Sequence, residues 1–309
     1  MNNKIKIFIK LIILIGSFYF INNFINFRDL EIEILHYKYL FYTLLVGLTS
    51  FILSALRWSI ILDKFIQPQK FLKLLYILSL QALSGNFIPS IINEGVRIYF
   101  SKIIKMNISD STTVVIVDRF FGIIAKFLFI GLSLAVFSFY FFELKTAYLI
   151  ITIEIFFSIL IILFIKKIWV FILSLFRFLK ESKIKTFLRK GYQFLSIFYE
   201  HKKEAITPFV LSILMQILQI ISFYFISKAL FNEISIIPII ILLPIISLIS
   251  TLPITFNGWG VRELLFIYFF QFFNYSEDTT FIASILFGLT SAVIPLIILS
   301  VTYLINFKK

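Results

Sequence analysis

The chain of 309 residues has no cysteine, so disulfide frameworks and thiolate metal sites are both excluded. Histidine is nearly absent as well. His36 and His201 stand far apart in charged stretches and read as loop residues. No His/Glu constellation suited to zinc can be composed from them. There is no Gly-rich phosphate loop and no nucleophile elbow, so P-loop ATP hydrolysis and serine acyl transfer lack their residues. Carboxylates are few, 16 against 29 Lys and Arg. No catalytic residue, metal ligand or cofactor is assigned on this basis.

What fills the chain is apolar: 60% of residues are hydrophobic and the mean hydropathy is +1.01. A single soluble core cannot hide that much apolar surface, whereas a bilayer can. The charged residues, 15% of the chain, fall in bursts between long apolar runs, as loops do between membrane spans. The net charge of +13 lies beside those runs, which suits a face against anionic lipid and not a nucleic-acid footprint. The 41 Phe follow a general Ile/Phe/Lys/Asn bias, so aromatic stripes carry no signal here. The first apolar run is flanked by Lys4, Lys6 and Lys10 but lacks a small-residue cleavage site. It reads as a retained span, not a signal peptide.

A helical span needs about 20 apolar residues. Candidates are 7–25, 40–62, 71–92, 112–141, 147–165, 206–230, 234–254 and 280–306. The pieces 261–273 and 168–179 are too short, and the second, ringed by basic residues, is expected to lie in the interface. The expected fold class is all-α: a polytopic bundle of about 7–8 spans forming one transmembrane domain over 1–309. Lys and Arg set the orientation. Ten of them crowd into 166–203, so 166–205 is expected at the cytoplasmic face, with both termini inside and 26–39 outside.

That orientation produces two conflicts. Span 40–62 ends inside, yet 97–105, with Arg97, Lys102 and Lys105, also looks cytoplasmic. Later, 234–254 starts outside and 261–273 ends outside at Glu277-Asp278. Each region is therefore expected to be a re-entrant hairpin or broken helix pair, the first dipping from the cytoplasm and the second from the outside. Irregular backbone at membrane depth is tolerated only where it is buried in protein or lines a wet cavity, so both breaks, near 86–97 and 253–263, are candidate sites.

The breaks also resemble each other. One reads Pro89-Ser-Ile-Ile-Asn93-Glu94-Gly95-Val96-Arg97, the other Pro253-Ile-Thr-Phe-Asn257-Gly258-Trp259-Gly260-Val261-Arg262-Glu263. Paired interrupted segments in two halves of a chain point to a midplane site between inverted repeats. Pro89, Gly95, Pro253, Gly258 and Gly260 are the expected hinge positions. Helix starts after such breaks present free N–H groups and partial positive charge, which welcome an anion. Glu94 and Arg97, three apart, can meet on one helix face, while adjacent Arg262 and Glu263 should diverge. One reading is that each Arg pins its own hairpin through a Glu. The other is that Arg97 and Arg262, with Glu94 and Glu263, face one another and grip a lipid phosphate. Arg57 could simply snorkel, Asp118 and Arg119 could mark a span boundary, and the deeper Lys126 and Glu154 could either pair with one another or serve transport.

The succession Leu56-Arg57-Trp58, Asn86-Phe-Ile-Pro89, Asn93-Glu94-Gly95-Val96-Arg97, Asp118-Arg119 and Asn257-Gly-Trp-Gly-Val-Arg262-Glu263 resembles the lysylphosphatidylglycerol synthase transmembrane family of flippase-like integral membrane proteins. Its most specific stretch is Gly258 to Glu263. The family usually has a Gly-Gly-Glu run where Ile92-Asn93-Glu94 stands here. No long hydrophilic segment follows the last apolar run, so the resemblance implies the lipid-translocating part without the aminoacyl-transfer domain. It implies a multi-pass protein of the bacterial inner membrane whose partner is an anionic membrane lipid or lipid-linked phosphate, with a homo-oligomer left open. The expected substrate-binding residues are Arg57, Asn86, Asn93, Glu94, Arg97, Arg119, Asn257, Arg262 and Glu263. A rival reading is a membrane transferase using Asp29, Glu31 and Glu33 in the first outer loop. A third is a non-transporting partner in envelope assembly.

Overall fold

The computed structural model describes residues 36–65, 68–86, 90–141, 202–231, 233–251 and 258–307, with six isolated positions between 149 and 174. All regular structure among them is helical. In chain order the helices are α1 Tyr37–Phe65, α2 Phe71–Gly85, α3 Ser90–Phe100, α4 Ile108–Phe141, α5 Lys202–Leu230, α6 Ile236–Thr251, α7 Val261–Phe270 and α8 Glu277–Phe307. Four of them, α1, α4, α5 and α8, are long and apolar enough to cross a membrane. The stretches 71–92 and 234–254 are not full crossings. They become α2 and α6, which stop short because a break follows each, and short helices α3 and α7 return from the breaks. The candidate span 7–25 and nearly all of the span 147–165 and of the interfacial stretch 168–179 lie outside the described residues.

The eight helices form two copies of one four-helix unit, α1–α4 and α5–α8. In both, a 3-10 turn follows the short returning helix, Ser101–Ile104 in one and Gln271–Phe273 in the other. Both turns close on a non-glycine residue in the left-handed region, Lys105 and Asn274, each at φ 60°. Their amides donate to Lys102 and Gln271 carbonyls, both at 2.9 Å, and the next amides, Met106 and Tyr275, reach back to Ser101 and Phe270. A long helix then starts. At α4 the Asn107 side chain accepts the Asp110 amide at 2.8 Å, an N-cap bond.

α1 and α5 run antiparallel. The His36 amide donates to the Ala229 carbonyl, Thr43 to Ser222, and Arg57 to Ser212. The units are therefore inverted, and the α2–α3 and α6–α7 hairpins enter from opposite ends of the bundle. Helix packing obeys the same exchange. α2 lies on α8 as α6 lies on α4, α1 touches α8 as α5 touches α4, and every other helix pairing has its counterpart. The cores interlock in consequence: Ile294 and Ile298 of α8 complete the core of the first unit, and Phe129 and Val136 of α4 pack on that of the second. Burial of that apolar surface ties the halves together, and with them the hairpin tips.

Candidate functional site

The hairpin tips meet. The Trp259 indole N–H lies 3.5 Å from the Asn86 side-chain oxygen, and the Ser291 hydroxyl is equally close to it. Within the first hairpin, Ser84 donates to Asn93 at 2.8 Å across the break. A β-carbon at Gly85 would stand 2.7 Å from the Asn93 amide nitrogen, so glycine permits that closure. In the second, Gly258 and Gly260 adopt φ 80° and 84°, a region other residues rarely enter. Gly95 differs from its expected role as a hinge. It lies within α3, because the chain breaks upstream, after Gly85. Pro89, Pro253 and Asn257 lie outside the described residues.

The arginines pair differently from the sequence expectation. Arg97, 2% exposed, donates to one oxygen of Asp118 at 2.8 Å, and Arg57 donates to the other at 2.7 Å. Arg57 also bonds Ser212 at 2.8 Å, and the Arg97 guanidinium lies 4.1 Å from the Trp58 ring centre. Glu94, expected on Arg97, instead pairs with Arg119. The reason is α4: Asp118 sits three turns inside it and presents a carboxylate where Arg97 and Arg57 converge. For the same reason Arg57 does not snorkel. Asp118 is the residue that the expected site list lacks. Its signal was an acid beside Arg119 within a long apolar run.

Adjacent Arg262 and Glu263, expected to diverge, are in contact. The Arg262 Nε donates to Glu263 at 2.9 Å. The Glu263 carboxylate turns back onto the Gly260 amide at 2.5 Å, and this brings it under the guanidinium. Arg262 is further held against the Trp259 ring, 4.6 Å from its centre. The guanidinium lies over Gly288, where any β-carbon would collide with it.

Between the hairpins is a cavity of about 670 Å³. Arg57, Asn93, Glu94, Arg119 and Arg262 line it, together with Lys126 and the hydroxyls of Ser247, Ser250 and Thr251. Arg97, Glu263 and Asn86 are absent from its wall, so the foursome of Arg97, Arg262, Glu94 and Glu263 does not assemble around one space. A second cavity of about 370 Å³ adjoins it. The two share Lys126, Met215, Gln216, Gln219, Phe287, Thr290 and Ser291. Its walls include α1, α2 and α8, whose counterparts α5, α6 and α4 wall the larger one. Five cations at and beside the site, Arg57, Arg97, Arg119, Lys126 and Arg262, meet three carboxylates, Glu94, Asp118 and Glu263. The balance is positive.

The family model for the lysylphosphatidylglycerol synthase TM region matches residues 7–298. The chain belongs to this family. It is a multi-pass membrane protein, and the described residues among those that carried the resemblance lie at the hairpin tips and in the buried arginine cluster. No curated protein and no solved structure matches the chain. Asp29, Glu31, Glu33 and Glu154 lie outside the described residues.

Proposed function

We propose that this protein is a transporter, not an enzyme, that moves an anionic lipid, a phospholipid or a polyprenyl-phosphate carrier, between the leaflets of the bacterial inner membrane. In this reading residues 166–203 and both termini face the cytoplasm, because ten Lys and Arg crowd into 166–203. The observation that carries the reading is the positively balanced cavity between two oppositely inserted hairpins. A charged side chain at the centre of a bilayer costs about 2.5–3.5 kcal/mol even on insertion scales, so five cations gathered among apolar helices call for a purpose. Three carboxylates temper them. Bare arginines would hold a phosphate too firmly to release it, whereas pairs that open and close can pass it on.

The test is reconstitution of the full chain in vesicles carrying a fluorescent phosphatidylglycerol or polyprenyl phosphate, with dithionite quenching to follow leaflet exchange. Exchange should be faster than in protein-free vesicles and faster than for a fluorescent neutral glycolipid. Rates equal to those of empty vesicles for both phosphate lipids would refute the transport reading.

A further inference from the structure

The carboxylate–guanidinium pairs at the cavity are pseudo-equivalent, but they are not built alike. Counting from the left-handed residues Lys105 and Asn274, Glu94 corresponds to Glu263, Asn93 to Arg262, and Arg119 to Gly288. In the first unit the long helix supplies the guanidinium, and in the second the short helix does. Glu263 is fully buried and is held by its own helix start as well as by Arg262. Among the described residues Glu94 is held through one oxygen, by Arg119, and its other oxygen is buried without a partner. One pair is fixed, the other can open.

Lys126 stands apart from both pairs. Among the described residues its one hydrogen bond is a long one, 3.5 Å to the Ser247 carbonyl, and no carboxylate pairs with it. It lines the larger cavity with Arg119, and among the described residues it is the one charged residue lining the smaller. Arg57, Arg97 and Arg262 are each committed to a buried carboxylate. An anion passing between the cavities therefore meets one cation on both sides of the waist.

We propose that Lys126 holds the substrate phosphate at the waist between the two cavities, and that the phosphate takes Arg119 from Glu94 as it binds. This rests on the transport reading above and names the groups through which it works. The shared chemistry is a lipid phosphate, whether diester or monoester. A monoester, which can carry a second charge, is held more firmly by Lys126 and Arg119 than a diester with one. Glu94 is then the competitor that returns to Arg119 and releases the lipid. Lys126 has no structural counter-ion to orphan, so its replacement should leave the fold intact.

The same vesicle assay, run on purified variants with the lipid fraction varied, tests this. Lys126→Gln should slow exchange of fluorescent phosphatidylglycerol at least tenfold with unchanged melting temperature, and Lys126→Arg should restore most of it. Glu94→Gln should lower the half-saturating lipid fraction several-fold while also lowering the maximal rate, a split that a merely structural role would not give. A greater loss in Lys126→Gln for polyprenyl phosphate than for phosphatidylglycerol would mark the monoester as the source, and the reverse would mark the diester. If the wild type moves lipid and Lys126→Gln moves it equally well, the assignment is wrong while transport stands. A wild-type chain that moves neither lipid overturns both.

Discussion

At the scale of single residues, Asp118 carries the greatest burden. It is 2% exposed and is the shared counter-ion of Arg57 and Arg97. Removing one partner of a buried ion pair costs about 3–5 kcal/mol, because the orphaned charge stays buried. Asp118→Asn should accordingly lower the melting temperature in detergent far more than Lys126→Gln, and a shift no larger than that of Lys126→Gln would count against the triad. Gly288 is tested by one methyl group. In Gly288→Ala the β-carbon runs into the Arg262 guanidinium and the Trp259 ring. The expected loss is about 1–3 kcal/mol from overpacking, read as a lower melting temperature. Of the residues concerned, Arg57, Glu94, Arg119 and Arg262 were legible in the sequence because intramembrane charge is costly. Which of the charges pair was not. Which carboxylate meets which arginine depends on how α4 lies against α1 and α3, and local spacing carries no record of that.

At the scale of elements, the conflict between charge and span length located both hairpins, since no single crossing could satisfy the basic residues around the first or the acidic tip beyond the second. The shared Gly-Val-Arg stretch misplaced their register. Eight residues before Lys105 stands Arg97, but eight before Asn274 stands Phe266; Arg262 lies one helical turn earlier, at the position of Asn93. A one-turn slip keeps residues on the same helix face, so a short motif could match while the structural equivalence lay elsewhere. Pseudo-equivalent Glu94 and Glu263 should then respond differently to one substitution. Glu263→Gln weakens a charge-assisted bond to the Gly260 amide and should cost about 1.5–3 kcal/mol of stability. Glu94→Gln should leave the melting temperature nearly unchanged while altering transport.

At the scale of the whole molecule, two inverted units exchange helices so that each completes the other's core, and the hairpin tips meet at Trp259 and Asn86. The central claim is that a phosphate lipid occupies the space these units enclose. The absence of native cysteine and the shared wall of the two cavities permit a direct measurement. A photoreactive benzophenone attached to a single cysteine at Gln216, illuminated in native membranes and analysed by mass spectrometry, reports what lies at the waist. The same probe at Phe127, which faces outward and is 58% exposed, reports the surrounding bilayer. The account predicts that position 216 captures phosphate-bearing lipid enriched over the profile captured at position 127, and that Lys126→Gln abolishes the enrichment. Capture of no lipid at 216, or of the same mixture as at 127, would contradict it.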